Sequence, residues 1–178
     1  MNYICFKSNT GIDYAKSKLF LALLSVILLI SCNDNKTSTT PQALTDAEIL
    51  AFASKAGYEY YRVDTVNANG PHGPFILVRY NETAQSVLDA NNKLPAGASF
   101  PEGSTIVKEV FNQLGGTLIK QYVMHKKATD PNSALNWVWA GFDADGSVNF
   151  PVSNKGVGCK ECHATNPNRD GAKIFDIY

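Results

Sequence analysis

The sequence predicts an α+β domain, a mainly antiparallel β-sheet with one or two packed helices, closed by a C-terminal segment that carries two cysteines. Three observations predict it. Short runs of aromatic and β-branched residues recur between clusters of Gly, Pro, Asn and Asp, the pattern of strands joined by turns. Only two stretches have their apolar residues at helical spacing, and no internal repeat is visible. The 178-residue chain, with zero formal net charge and 44% hydrophobic residues, suits an ordinary globular domain and is too weakly basic to suggest a nucleic-acid partner.

The first element is a helix. Thr45 and Glu48 make a capping box, and Ile49, Phe52, Ala53 and Ala56 follow at helical spacing before Gly57 stops the turn. Tyr58 to Val66 reads as a strand, residues 67–74 as a loop dense in turn formers, and Phe75 to Tyr80 as a second strand. Asn81 caps a predicted helix running to about Asn92, with Ala84, Val87 and Leu88 on one side. Pro95, Gly97, Pro101 and Gly103 then forbid regular structure.

Ser104 to Phe111 and Thr117 to Lys126 flank Gly115-Gly116 as a β-hairpin. A strand from Leu135 to Phe142 follows the loop 128–133, Asp145-Gly146 turns the chain, and Ser147 to Phe150 is the last strand. Pro151 to Gly158 is expected to be a flexible approach to the C-terminal motif. Trp137 and Trp139 share one strand face, which makes them core or pocket walls.

The N-terminus carries an export pattern. Lys7, Lys16 and Lys18 precede an apolar run from Leu19 to Ile30, broken by Ser25 and too short to span a bilayer comfortably. The run ends Leu29-Ile30-Ser31-Cys32, which resembles the lipobox of bacterial lipoproteins, with Cys32 as the lipidated first residue after cleavage. An ordinary signal peptide is the alternative. The expected organisation is a signal peptide over 1–31, a polar tether over 32–43 and the domain over 44–178, anchored on the periplasmic side of a bacterial membrane.

Cysteine arithmetic then isolates one motif. Cys5 leaves with the signal and Cys32 is lipidated, so Cys159 and Cys162 are the only thiols left for the domain. They stand in Cys159-Lys160-Glu161-Cys162-His163, the spacing of a c-type haem attachment site. Each thiol can add to one haem vinyl group, and the neighbouring imidazole of His163 can bind the iron from below. A zinc site lacks a second thiol pair, and a disulfide would leave His163 without a role. One covalent haem c is therefore the expected cofactor, with His163 as its metal ligand.

Few residues follow His163, so a ligand for the opposite face of the iron has to come from upstream; Met124, His125, His72 and several lysines are the candidates. Met124 and His125 are strand neighbours, so at most one of them approaches the haem. The late haem motif and the sheet differ from small helical electron-transfer cytochromes, and they point to an open distal site. A six-coordinate electron-transfer cytochrome is the alternative.

The run Phe100-Pro101-Glu102-Gly103-Ser104-Thr105-Ile106-Val107-Lys108-Glu109, the pair Trp137 and Trp139 before an Asp-Gly turn, and the C-terminal haem motif followed by residues 166–170 together resemble the cytochrome P-460 family. The resemblance implies a mostly β, dimeric, periplasmic haem protein with a vacant distal side. It implies either hydroxylamine oxidation, with a strand lysine linked to the haem ring, or nitric oxide binding without that link, as in the cytochrome c′-beta proteins. A redox partner cytochrome is implied for the oxidation.

By motif position Lys108 corresponds to the linking lysine. Strand alternation puts it on one face with Ile106 and Val110, where it interrupts an apolar stripe. Desolvation there lowers its pKa and exposes a nucleophilic amine. Glu109, Asp130, Phe75 and Phe100 are the candidate distal acid and aromatic cap.

Overall fold

The computed structural model describes residues 41–55, 59–65, 72–73, 75–165 and 169–173, with the backbone alone described over 59–65. The signal peptide, the tether up to Thr40 including Cys32, and Ala56, Gly57, Tyr58 and Val66 lie outside these residues. In chain order the elements are α1 (Asp46–Ala53), β1 (Glu59–Thr65), β2 (Phe75–Tyr80), α2 (Glu82–Gln85), β3 (Thr105–Phe111), β4 (Leu118–Lys126), β5 (Trp137–Asp143), β6 (Val148–Phe150), a 3-10 turn (Val152–Asn154) and α3 (Lys160–His163). The six strands form one antiparallel sheet in the order β1-β2-β3-β4-β5-β6, each paired with its neighbours in sequence. The predicted class holds: mainly antiparallel β with few helices.

Strand alternation divides the buried side chains between the two faces. On one face Ile49 and Ala53 of α1 pack on Val107, Val123, Val138, Ala140, Phe142 and Val152. The capping box starts that helix as expected, with the Thr45 hydroxyl accepting from the Glu48 amide and the Glu48 carboxylate accepting from the Thr45 amide. Arg79 then donates to the Ala53 carbonyl at the helix end and pairs with Glu109 at 2.7 Å. The helix is thus held at both ends.

The other face carries Ile76, Val78, Tyr80, Ile106, Val110, Met124, Trp137 and Trp139. It is covered by Ala84, Leu94, Phe100 and, from the C-terminal segment, Cys159 and Ala172. Trp137 and Trp139 lie together on it as expected. Each large apolar side chain buried in this way contributes roughly 1.5–3 kcal/mol.

Three expectations are corrected. The helix after Asn81 is a single turn, capped by the Asn81 side chain; beyond it the Asp89 carboxylate takes the amides of Asn91 and Lys93, a local bonding scheme that competes with helix. Leu135 and Asn136 are turn rather than strand, with φ of 55° and 66°, and the paired Ala134 and Trp137 close a two-residue hairpin. Residues 151–158, expected to be flexible, are a succession of hydrogen-bonded turns whose Val152 amide donates to Asp46.

Candidate functional site

The C-terminal motif begins where the chain crosses Trp139. Gly156 has φ +66°, and a Cβ on it would lie 2.7 Å from the Trp139 ring, so only glycine lets the backbone approach that indole. Trp139 is itself fixed by its Nε1–H, which donates to the Ala134 carbonyl at 2.9 Å. From Gly158 the Glu161 carboxylate accepts an amide hydrogen bond, and α3 follows as one helical turn with the His163 amide donating to the Cys159 carbonyl. Residues three and four apart share a helix face, so Cys159, Cys162 and His163 project together.

Cys159 and Cys162 are both free thiols, Cys159 half-buried and Cys162 exposed. Burial, helped by Glu161, raises the Cys159 pKa, so it stays protonated. His163 stands edge-on to Trp139, with ring centroids 4.8 Å apart at 71°. Its Nδ1 lies 2.6 Å from the Gly171 carbonyl, which can only accept, so Nδ1 carries the proton. Burial keeps the ring neutral, and the lone pair is left on Nε2. That is the tautomer an axial ligand needs.

Across the sheet, Val78, Lys108, Tyr122 and Gly141 form one row of directly opposed residues. Lys108 belongs to the face of Trp139 and the C-terminal motif, as strand alternation predicts. Its amine is pushed down from 10.5 to about 8 by burial, opposed by Cys162. Gly141 leaves room beside the Tyr122 ring, 3.1 Å from where a Cβ would sit.

Over that row lies His72. Its ring meets Tyr122 edge-on at 4.6 Å, and the next residue, Gly73, comes so close to Val110 that a Cβ would sit 2.9 Å from it. Burial, reinforced by the charges of Lys108 and His163, pushes the His72 pKa down to about 4. Its Nδ1 is buried without a hydrogen-bond partner. One face thus gathers two thiols, two neutral imidazoles and a lysine amine of lowered pKa.

The remaining candidates lie elsewhere or in the core. Met124 is buried on the same face beside Trp139. His125 is on the opposite one, stacked on Phe52 at 4.5 Å with Nδ1 3.0 Å from the Thr105 hydroxyl. Glu109 points to the α1 side in its pair with Arg79, and Phe75 starts β2 opposite Phe111. Asp130 accepts from the Leu44 amide and holds the start of the domain. Phe100 packs between Tyr80 and Trp137. Sequence reasoning missed Asp170-Gly171, whose Asp-Gly pairing is a turn signal and whose carbonyl holds His163.

The residues fit a covalently attached haem. Two unpaired thiols and an imidazole with a directed Nε2 share a helical turn, and among the described residues no three His, Cys, Asp or Glu side chains converge as a competing metal cluster. No curated protein shows a significant match to the chain. The model of one protein family, described as Cytochrome P460, matches residues 55–172.

Proposed function

The chain belongs to the cytochrome P460 family, c-type haem proteins that act on small nitrogen species such as hydroxylamine, and on that premise we propose how this member works. It carries one covalent haem, as the family does. Cys159 and Cys162 would form its thioethers, and His163 Nε2 would ligate its iron. The observation that carries this assignment is the Nδ1–H of His163 donating to Gly171, which leaves the remaining lone pair on Nε2.

When bound, the haem supplies an iron that accepts a nitrogen lone pair and takes up electrons. The Cys159 and Cys162 thiols would each add across a vinyl group, S–H to C=C, with no leaving group. Trp139 packs edge-on against the imidazole. The side of the iron away from His163 would be the one that takes hydroxylamine or nitric oxide. Lys108, with its amine lowered to about 8, is partly neutral near neutral pH and would be the residue that replaces a ring-edge C–H by an N–C bond, the two electrons released going to a peroxide oxidant. Neutral His72 accepts a proton from a bound nitrogen species through its buried, unpartnered Nδ1.

A second reading follows from the same residue: His72 as a sixth ligand would make the protein an electron-transfer cytochrome. The visible spectrum of the purified protein separates the readings. A ring-linked haem gives a red-shifted ferrous band that Lys108→Ala abolishes; an unlinked open site gives a high-spin spectrum that changes with nitric oxide. A low-spin spectrum indifferent to both ligands would overturn the open site.

The proposal extends to location and partners: export, an anchor at Cys32 on the periplasmic side, pairing as a homodimer, and a partner cytochrome that removes electrons. Among the described residues no helix is long and apolar enough to cross a membrane. Intact mass tests the anchor. Acyl chains plus one haem are expected on the wild type, and Cys32→Ser is expected to release the protein from membranes.

A further inference from the structure

We infer that Asp170 is a positioning residue for the axial imidazole, acting through the turn it nucleates; this rests on the reading of His163 as the haem ligand. Residues 169–172 close a turn in which the Ala172 amide donates to the Arg169 carbonyl at 2.9 Å. Its two central residues, Asp170 and Gly171, have φ of 52° and 77°, the left-handed pattern of a type I′ turn. That turn presents the Gly171 carbonyl to His163 Nδ1 at 2.6 Å. A non-glycine residue holds such a conformation only where its surroundings impose it.

The surroundings do so through Asp170. Its carboxylate accepts from Lys126 Nζ at 2.7 Å on both oxygens and from the Phe100 amide at 2.9 Å. Its carbonyl accepts from Trp137 Nε1 at 2.9 Å. Both partners of the ion pair are nearly buried, with side-chain exposures of 7% and 10%, and Lys126 Nζ also lies 4.9 Å over the Trp137 ring. These donors come from the sheet and from the loop leading into it. The haem-bearing segment is thereby locked to the sheet at the residue next to the carbonyl that orients His163.

The function follows from the strength of that one hydrogen bond. A fixed carbonyl on Nδ1–H pushes electron density toward Nε2, strengthens the iron–imidazole bond and favours ferric iron. Releasing the turn lengthens the contact. Asp170→Asn keeps the shape and an acceptor for Phe100 but removes the charge facing Lys126; Lys126→Met removes the same pair while leaving Asp170 untouched. The second variant covers the case in which the first fails to fold.

The test is ferrous resonance Raman spectroscopy and redox titration of the haem-loaded proteins. Both variants are expected to retain covalent haem, to shift the iron–histidine stretch to lower frequency and to raise the midpoint potential. Lys126→Arg, which keeps the pair, is expected to return both values toward wild type. Variants with the wild-type frequency and potential would overturn the role of Asp170 while leaving His163 as ligand. A wild-type protein with a five-coordinate high-spin ferrous haem but no iron–histidine mode would instead overturn the ligand assignment itself, and the inference with it.

Discussion

The imidazole of His163 stands edge-on to the indole of Trp139, ring centroids 4.8 Å apart, so a β5 core residue is also the wall of the candidate haem site. Truncating it has two effects at once. Trp139→Ala is expected to cost about 3–5 kcal/mol, the usual loss for a buried aromatic, and to reduce haem retention; Trp139→Phe restores part of each. Urea unfolding and the haem-to-protein absorbance ratio check it. An alanine variant with wild-type values of both would show that the wall is dispensable.

Lys108 is expected to be the chain's most readily deprotonated lysine on the sheet face. In a haem-free Cys159→Ser/Cys162→Ser protein, its labelling by an amine-reactive reagent is expected to have its midpoint near pH 8, because burial lowers it to about 8. Mass-mapped labelling against pH reads this directly. A midpoint shared with the exposed lysines would remove the basis for a nucleophilic role.

Gly156 is where backbone meets indole. Gly156→Ala puts a methyl 2.7 Å from the Trp139 ring at φ +66°, and it is expected to destabilise the domain by about 1–3 kcal/mol. Thermal unfolding measures this. Gly158→Ala is the control: it shares a positive φ of 89° but meets nothing within 4 Å, so it shows the backbone cost alone.

His125 makes stability depend on pH. Burial pushes its pKa from 6.5 to about 4, so the unfolded chain binds the proton more readily than the folded one. Folding stability is then complete above pH 6.5 and falls as pH drops from 6.5 toward 4, by on the order of 1–2 kcal/mol after allowance for solvent screening. His125→Phe retains a ring for Phe52 and is expected to flatten that slope in a series of melts. His72 contributes in the same direction, so the variant reduces the slope rather than abolishing it. An unchanged slope would mean that His125 titrates normally.

Legibility followed the range of the interactions. The Thr45–Glu48 box, β2 and the β3–β4 hairpin were readable because their signals are local: a cap, a period of two, a glycine pair. The helix after Asn81 was overestimated because Asp89 turns its carboxylate on its own backbone, which an apolar periodicity does not reveal. Leu135 looked like strand because nothing in an apolar side chain announces φ of 55°. At the site, the spacing of Cys159, Cys162 and His163 named the chemistry, and alternation placed Lys108. The Lys126–Asp170 pair joins residues 44 apart, and β2 and β3 lie in sequence between His72 and Tyr122; no pattern of neighbours encodes either contact.

The strand order β1-β2-β3-β4-β5-β6 has a consequence in time as well as in space. Each strand pairs with the one made just before it, so the sheet closes short loops and can assemble in the order of synthesis; the longest connection between paired strands spans residues 81–104. Cys159 and Cys162 follow all six strands in the chain. On the proposed reading, the wall that would meet a haem at Cys159 and Cys162 stands on strands made earlier: Lys108 lies on β3 and Trp139 on β5.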